Sequence, residues 1–199
     1  MHYRRMHVPG ATYFFTVVTH ERPPIFADAQ AVRLLEAAIG RVREKRPFTI
    51  EAQVVLPDHL HAIWTLPDGD CDYPTRWRQI KEAFTRGRRL PARDARRRAR
   101  GEQTVWQHRY WEHLVRNDRD LSAHVEYIHF NPVRHGFVRA PRDWPHSTFS
   151  DWVARGLYDA DWGPQGPPEL PAWAGHEYAR STYAGSRRRS GRDVGRAET

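Results

Sequence analysis

The sequence holds one cysteine (Cys71), two lysines (Lys45 and Lys81) and no long hydrophobic run. A lone cysteine excludes an internal disulfide framework and any four-cysteine zinc site. No stretch approaches the eighteen or so apolar residues that span a bilayer. The apolar segment nearest the start, residues 13–18, is too short and too strand-like for a secretory signal. A cytoplasmic globular protein is therefore expected, with no membrane partner. The 199 residues can bury a sizeable core but fall short of two ordinary domains. At 39% hydrophobic and 12% aromatic, the chain is too apolar to be wholly disordered.

The formal charge of +8 is unevenly spread. Residues 86–100 carry eight arginines (Arg86, Arg88, Arg89, Arg93, Arg96, Arg97, Arg98 and Arg100) against Asp94, a local charge of +7. Residues 187–199 carry five arginines against two acids, a further +3, so everything else sums to −2. A nearly neutral fold thus bears two cationic segments, which suit phosphates through counterion release. The plainer reading is a solvated loop and a tail that keeps the protein soluble.

Periodicity sketches the order of elements. Residues 12–19 are aromatic and β-branched and read as a buried strand, broken by Glu21-Arg22-Pro23-Pro24. Val32, Leu35, Ile39 and Val42 predict a helix over 29–44. A second strand over 48–56 alternates Phe48, Ile50, Ala52, Val54 and Leu56 with Thr49, Glu51 and Gln53, which predicts one wet face. After the Pro57-Asp58 turn, a strand over 59–66 puts Leu60, Ala62, Trp64 and Leu66 on one face, with His59, His61, Ile63 and Thr65 on the other. A helix over about 75–86, a strand over 105–115 and a helix over 119–131, capped by Asn117 and stopped by Pro132, complete the pattern. This is an α+β, ferredoxin-like split βαβ plan: an antiparallel sheet with helices on one face and one added helix. Residues 1–148 are expected to form the domain and 149–186 an irregular extension packed on it. Residues 187–199 are expected to form a disordered basic tail.

Two features carry chemistry. His59 and His61 flank Leu60 on a strand, so both imidazoles face the same way, close enough to share one metal ion. Chance and ordinary surface placement also produce such pairs in a chain with twelve histidines. On the last helix His124, Tyr127 and Asn131 share one stripe beside the apolar Leu121, Val125 and Ile128. A tyrosine hydroxyl meeting a backbone group, and an asparagine ending a helix, are the plainer readings of that stripe.

His59-Leu60-His61, followed by Tyr127-Ile128-His129-Phe130-Asn131-Pro132-Val133-Arg134-His135-Gly136, resembles the REP-associated tyrosine transposases, a branch of the HUH single-strand nucleases. Tyr13-Phe14-Phe15-Thr16, the run-in at residues 55–58, and Val105-Trp106-Gln107 with Trp111-Glu112-His113 support the likeness over roughly residues 3–148. The resemblance implies that His59 and His61 bind a divalent metal, Mg²⁺ or Mn²⁺, with Asn131 as a further ligand. It implies Tyr127 as the nucleophile of a single-stranded DNA endonuclease and strand transferase. That enzyme would cut near palindromic hairpins through a 5′-phosphotyrosine link. It further implies a monomer, with a dimer as the alternative, working in the cytoplasm at the nucleoid. On that view Arg86, Arg88, Arg89, Arg93, Arg96, Arg97, Arg98 and Arg100 would hold hairpin phosphates, and Trp106, Tyr110 and Trp111 would either stack on bases or fill the core.

Two other functions compete. A non-catalytic single-stranded nucleic-acid-binding module of ferredoxin-like fold would show an aromatic pair on its central strands; His59 and His61 stand on the open face instead. A metal-dependent hydrolase using His59, His61 and Asp58 is disfavoured, because period-two geometry turns Asp58 to the wrong face.

Overall fold

The computed structural model describes residues 6–88, 99–100 and 105–163. Four antiparallel strands, β1 (Thr12–Val18), β2 (Thr49–Leu56), β3 (His59–Thr65) and β4 (Trp111–Leu114), lie in the order β2-β3-β1-β4. Helices α1 (Ala29–Lys45) and α2 (Tyr73–Gly87) complete the split βαβ plan, while α3 (Asp118–Arg134) follows β4 and packs on the sheet's opposite face. Each of these three helices begins on a side-chain acceptor. Asp28 accepts from the Gln30 amide, Asp72 from Thr75 and Asn117 from Asp120, satisfying backbone donors that the first turn leaves open.

Strand alternation sorts the side chains between two cores. Phe15, Leu60, Ala62 and Trp64 meet α1 and α2; Trp64 stacks on Trp77 at 4.1 Å and 15°, and Phe48 lies 4.1 Å from Trp64. Phe14, Ala52, Val54, Leu56 and Ile63 meet Val125, Tyr127 and Ile128 of α3. Both faces of the sheet are therefore covered, which corrects the expected wet face. The cause is a bulge in β2: Ile50 pairs with Trp64 and Ala52 with Ile63, leaving Glu51 as an extra residue. Phe48 and Ile50 consequently serve the α1/α2 core while Ala52, Val54 and Leu56 serve the α3 core.

Two expected boundaries change. The fourth strand does not run from 105 to 115. Trp106 makes an isolated bridge to Thr19, the chain leaves the sheet at the exposed His108 and Arg109, and pairing resumes at Trp111. The last helix does not stop before Pro132 but carries it in its final turn, giving up the bond that an N–H at residue 132 would donate back along the helix. Gly136 ends it at φ 71°, with Gly136 N–H on the Val133 carbonyl and Phe137 N–H on the Pro132 carbonyl.

Residues 144–152 run along β2. Val55 and Thr148 backbone amides donate to His146 and Gln53 carbonyls, and the Trp144 and Trp152 indoles donate to Val55 and Glu51 carbonyls. They blunt an otherwise open sheet edge. The expected irregular extension instead opens with helix α4 (Phe149–Ala154), followed by Tyr158 and Trp162 stacked at 4.6 Å. Residues 164–186 of that extension and the expected tail, 187–199, lie outside the described residues. Among the described residues no helix is long and apolar enough to cross a membrane.

Candidate active site

The histidine pair opens β3 directly after the Pro57-Asp58 turn, with His59 opposite Val18 and His61 opposite Thr16. Both are buried, and their rings lie 4.9 Å apart on the α3 face. Each is held by its Nδ1. Thr16 Oγ1 and His61 Nδ1 share a hydrogen bond of 2.9 Å, and the Asp58 carboxylate accepts from His59 Nδ1 at 2.5 Å. With Nδ1 held, Nε2 is the atom each imidazole could offer a metal, an arrangement by which outer partners orient metal ligands.

Asp58 does not follow the alternation that would turn it away from the histidines. It sits in the turn rather than in the strand, so strict alternation does not bind it, and its carboxylate bends back to His59. Its second oxygen accepts from Arg22 at 2.7 Å. Burial alone would raise the Asp58 pKa, but the His59 hydrogen bond and the two nearby cationic groups bring it below the ordinary carboxylate value. Arg22 reaches it through a tight turn in which Glu21 (φ 61°) and Arg22 (φ 54°) both occupy the left-handed region. Such conformations cost non-glycine residues about 1 kcal/mol or more each. The Thr19 hydroxyl and amide pin that turn to the Asp58 carbonyl.

Helix α3 brings Tyr127 over the pair. Its ring lies 5.2 Å from that of His61 at 71°, and 6.0 Å from Phe14. The Arg134 guanidinium stands 5.5 Å from the Tyr127 ring centre. Asn131, one turn on, is 0% exposed, and neither atom of its side-chain amide makes a hydrogen bond. Burying an amide with no partner is costly, so this group is poised for a ligand. Burial first, then electrostatic interaction with the neighbouring His59, His135, Arg134 and Arg22, push the His61 pKa well below 6.5. His135, whose ring lies 5.6 Å from His59, is lowered to about 4 by burial and the same neighbours.

His124 does not join this group. Its ring stacks on His113 at 4.7 Å and 17°, and both imidazoles meet the Asp120 carboxylate. Sequence reading missed that cluster; the signal was Asp120 and His124 four apart on the helix with His113 just upstream. Of the arginines assigned to DNA, Arg86 and Arg100 are exposed and Arg88 is half-buried, whereas Arg89, Arg93, Arg96, Arg97 and Arg98 lie outside the described residues. Trp106 is buried against Phe26 and Phe84, while Tyr110 and Trp111 are half-buried.

No family model matches the chain. It is 48% identical over 160 residues to the REP-associated tyrosine transposase of Escherichia coli K12, covering 80% of this chain and 89% of that protein. A Haemophilus influenzae relative named for the same family is 38% identical over 172 residues, covering 84% of this chain and 95% of its own. Among solved structures, a REP-associated tyrosine transposase bound to a REP hairpin is 46% identical and superposes with a TM-score of 0.70. That match covers 82% of this chain and 91% of the other. Identity this high over most of both chains places the protein in the family of the REP-associated tyrosine transposases.

Proposed function

We propose that the protein is a metal-dependent single-stranded DNA endonuclease and strand transferase that acts beside palindromic hairpins, with Tyr127 as its nucleophile. The observation that carries this reading is the 5.2 Å approach of the Tyr127 and His61 rings, above an imidazole pair whose Nδ1 atoms are both occupied. The hairpin-bound relative supports the substrate class. Residues 1–148 would form the nuclease unit, and a single chain supplies every group the site needs.

His59 Nε2, His61 Nε2 and the Asn131 amide oxygen would hold a divalent cation, Mg²⁺ or Mn²⁺. The unbonded, buried Asn131 amide fits that role, and two imidazoles with one carboxamide suit manganese better than magnesium. When bound, such an ion withdraws charge from a phosphate oxygen and so lowers the barrier to attack. A free phenol has a pKa near ~10 and is a poor nucleophile. The Arg134 guanidinium packs beside the Tyr127 ring and brings a positive charge to the site where the phosphate would lie. The phenolate oxygen forms a bond to phosphorus and the bond to the 3′-oxygen breaks. The leaving oxygen takes up a proton in place of the one the phenol lost. The product is a 5′-phosphotyrosine link with a free 3′-hydroxyl, which keeps the diester energy and allows rejoining without ATP.

The arginine segment leaves α2 after Arg88 and returns at Val105, whose carbonyl accepts from the His20 amide. Trp106 bridges Thr19, one residue past the Val18 that faces His59. The segment's return point is thus anchored at the His59 end of the sheet, within reach of DNA entering there. We assign phosphate binding to Arg86, Arg88, Arg89, Arg93, Arg96, Arg97, Arg98 and Arg100, with the work done in the cytoplasm at the nucleoid.

The test is to incubate the protein and Mn²⁺ with hairpin-bearing oligonucleotides taken from the DNA flanking its coding region. A denaturant-resistant protein–DNA adduct is expected, and Tyr127→Phe should abolish it. An adduct undiminished in that variant would overturn the assignment. Equal binding with and without metal, and no adduct, would mark a non-catalytic binding module.

A further inference from the structure

The His113–Asp120–His124 cluster has no part in the chemistry above. His113 Nε2 lies 2.9 Å from Asp120 Oδ2, His124 Nδ1 lies 3.1 Å from Asp120 Oδ1, and one ligand atom from each residue falls within 4.8 Å of the others. His113 belongs to the edge strand β4, whereas Asp120 and His124 sit one turn apart at the start of α3. We propose that these three side chains form a second metal site, for zinc, that clips the helix bearing Tyr127 to the edge of the sheet.

The donor set selects the metal. Two imidazole nitrogens and one carboxylate oxygen match zinc, whereas calcium and magnesium take mainly oxygen. Tetrahedral zinc with bonds of about 2.0–2.1 Å holds neighbouring donors about 3.3 Å apart. The two imidazole-to-carboxylate separations need to open by only a few tenths of an ångström, and one donor atom of each imidazole lies within 4.8 Å of the other. The ion would displace the bond that His124 Nδ1 donates to the Asp120 carbonyl at 2.7 Å. The carboxylate is already aimed: Asp120 Oδ2 accepts from the Arg116 amide at 3.0 Å, and the Asp120 amide donates to the Asn117 cap. A cavity of about 510 Å³, bordered by Trp111, His113, Asp120 and Ala123, opens onto the cluster. It gives the ion an entry path and leaves room for water as a fourth ligand. Arg116 and Arg119 also border that cavity and oppose a cation, but both are exposed and screened, and the first-turn acids Asp118 and Asp120 offset them.

Such a clip would act on the nucleophile through its helix. His124 precedes Tyr127 by three residues and packs on Phe14, the ring that also touches Tyr127. The ion would be structural, three-coordinate from the protein, and separate from the one at His59 and His61.

The experiment uses the full chain, stripped of metal, with zinc sulfate as the probe. Bound zinc is counted by elemental analysis after gel filtration, and melting is followed with and without zinc. The His59→Ala/His61→Ala variant removes the first site. It should still bind one equivalent and melt several degrees higher with zinc. Adding His113→Gln or, separately, Asp120→Asn should abolish both effects. Cobalt in place of zinc should give a tetrahedral visible spectrum that the same changes remove. The proposal is overturned if the His59→Ala/His61→Ala variant takes up no zinc, which would leave a purely hydrogen-bonded His–Asp–His network. It is also overturned if either added substitution leaves the bound zinc in place.

Discussion

The two faces of one four-stranded sheet are built on different terms. Toward α1 and α2 the buried groups are mainly aromatic and aliphatic, with Trp64, Trp77, Phe15, Phe48 and Tyr73 linked by ring contacts, and Arg76 and Glu112 are the buried charged residues beside them. Toward α3 the same strands bury His59, His61 and Thr16, and the helix adds His124, Tyr127, His129 and Asn131. The first face gains stability from packing. The second forgoes part of that gain, because buried polar groups cost free energy unless each finds a partner. Alternation along a strand lets a rigid hydrophobic layer hold a reactive polar layer one side chain away.

Substitutions on each face should therefore fail differently. Tyr127→Phe removes one oxygen from the α3 face and should lose all covalent adduct while the denaturation midpoint hardly moves. Trp64→Ala on the other face should lower stability by about 3–5 kcal/mol in denaturant titrations, by opening a cavity between Phe48 and Trp77. Thr16→Val removes the group that orients His61. Adduct formation should then need about 10–100-fold more Mn²⁺, with the rate at saturating metal nearly kept.

The smallest effect concerns a buried charge beside the aromatic face. Arg76, 1% exposed, donates to both oxygens of Asp70, and that bond holds the Asp70 pKa below its ordinary value. A depressed carboxylate contributes stability above its unfolded pKa of ~3.9, and that contribution is lost as pH falls through the folded value. Asp70→Asn should cost about 1–2 kcal/mol at neutral pH and flatten the loss of stability below pH ~4, as read from denaturation at a series of pH values.

Much of this division was legible in the amino-acid order. Residues 59–66 alternate cleanly, so both the packed side of β3 and the shared face of His59 and His61 could be read directly. The spacing of Tyr127 and Asn131 likewise fixed their common stripe. What escaped was set by single residues that interrupt a period. Glu51 inverts the faces of β2, and the break at His108 and Arg109 shortens β4. Pro132 lies inside the last helix instead of stopping it, and the end is set by Gly136. Contacts that join distant segments, such as Arg22 with Asp58 and His113 with His124, leave no local periodic trace.

The extra residue in β2 has a consequence for how this chain tolerates changes in length. Removing Glu51 would close the bulge into a regular ladder: Ile50 would directly precede Ala52, still opposite Trp64, so Phe48 and Ile50 would keep their places in the α1/α2 core. The half-buried Glu51 carboxylate accepts from the Thr65 hydroxyl at 2.7 Å, a bond that such a deletion would also remove. A one-residue deletion at this place should nonetheless be far less damaging than one inside the regular ladder of residues 52–56, which turns side chains to the wrong face.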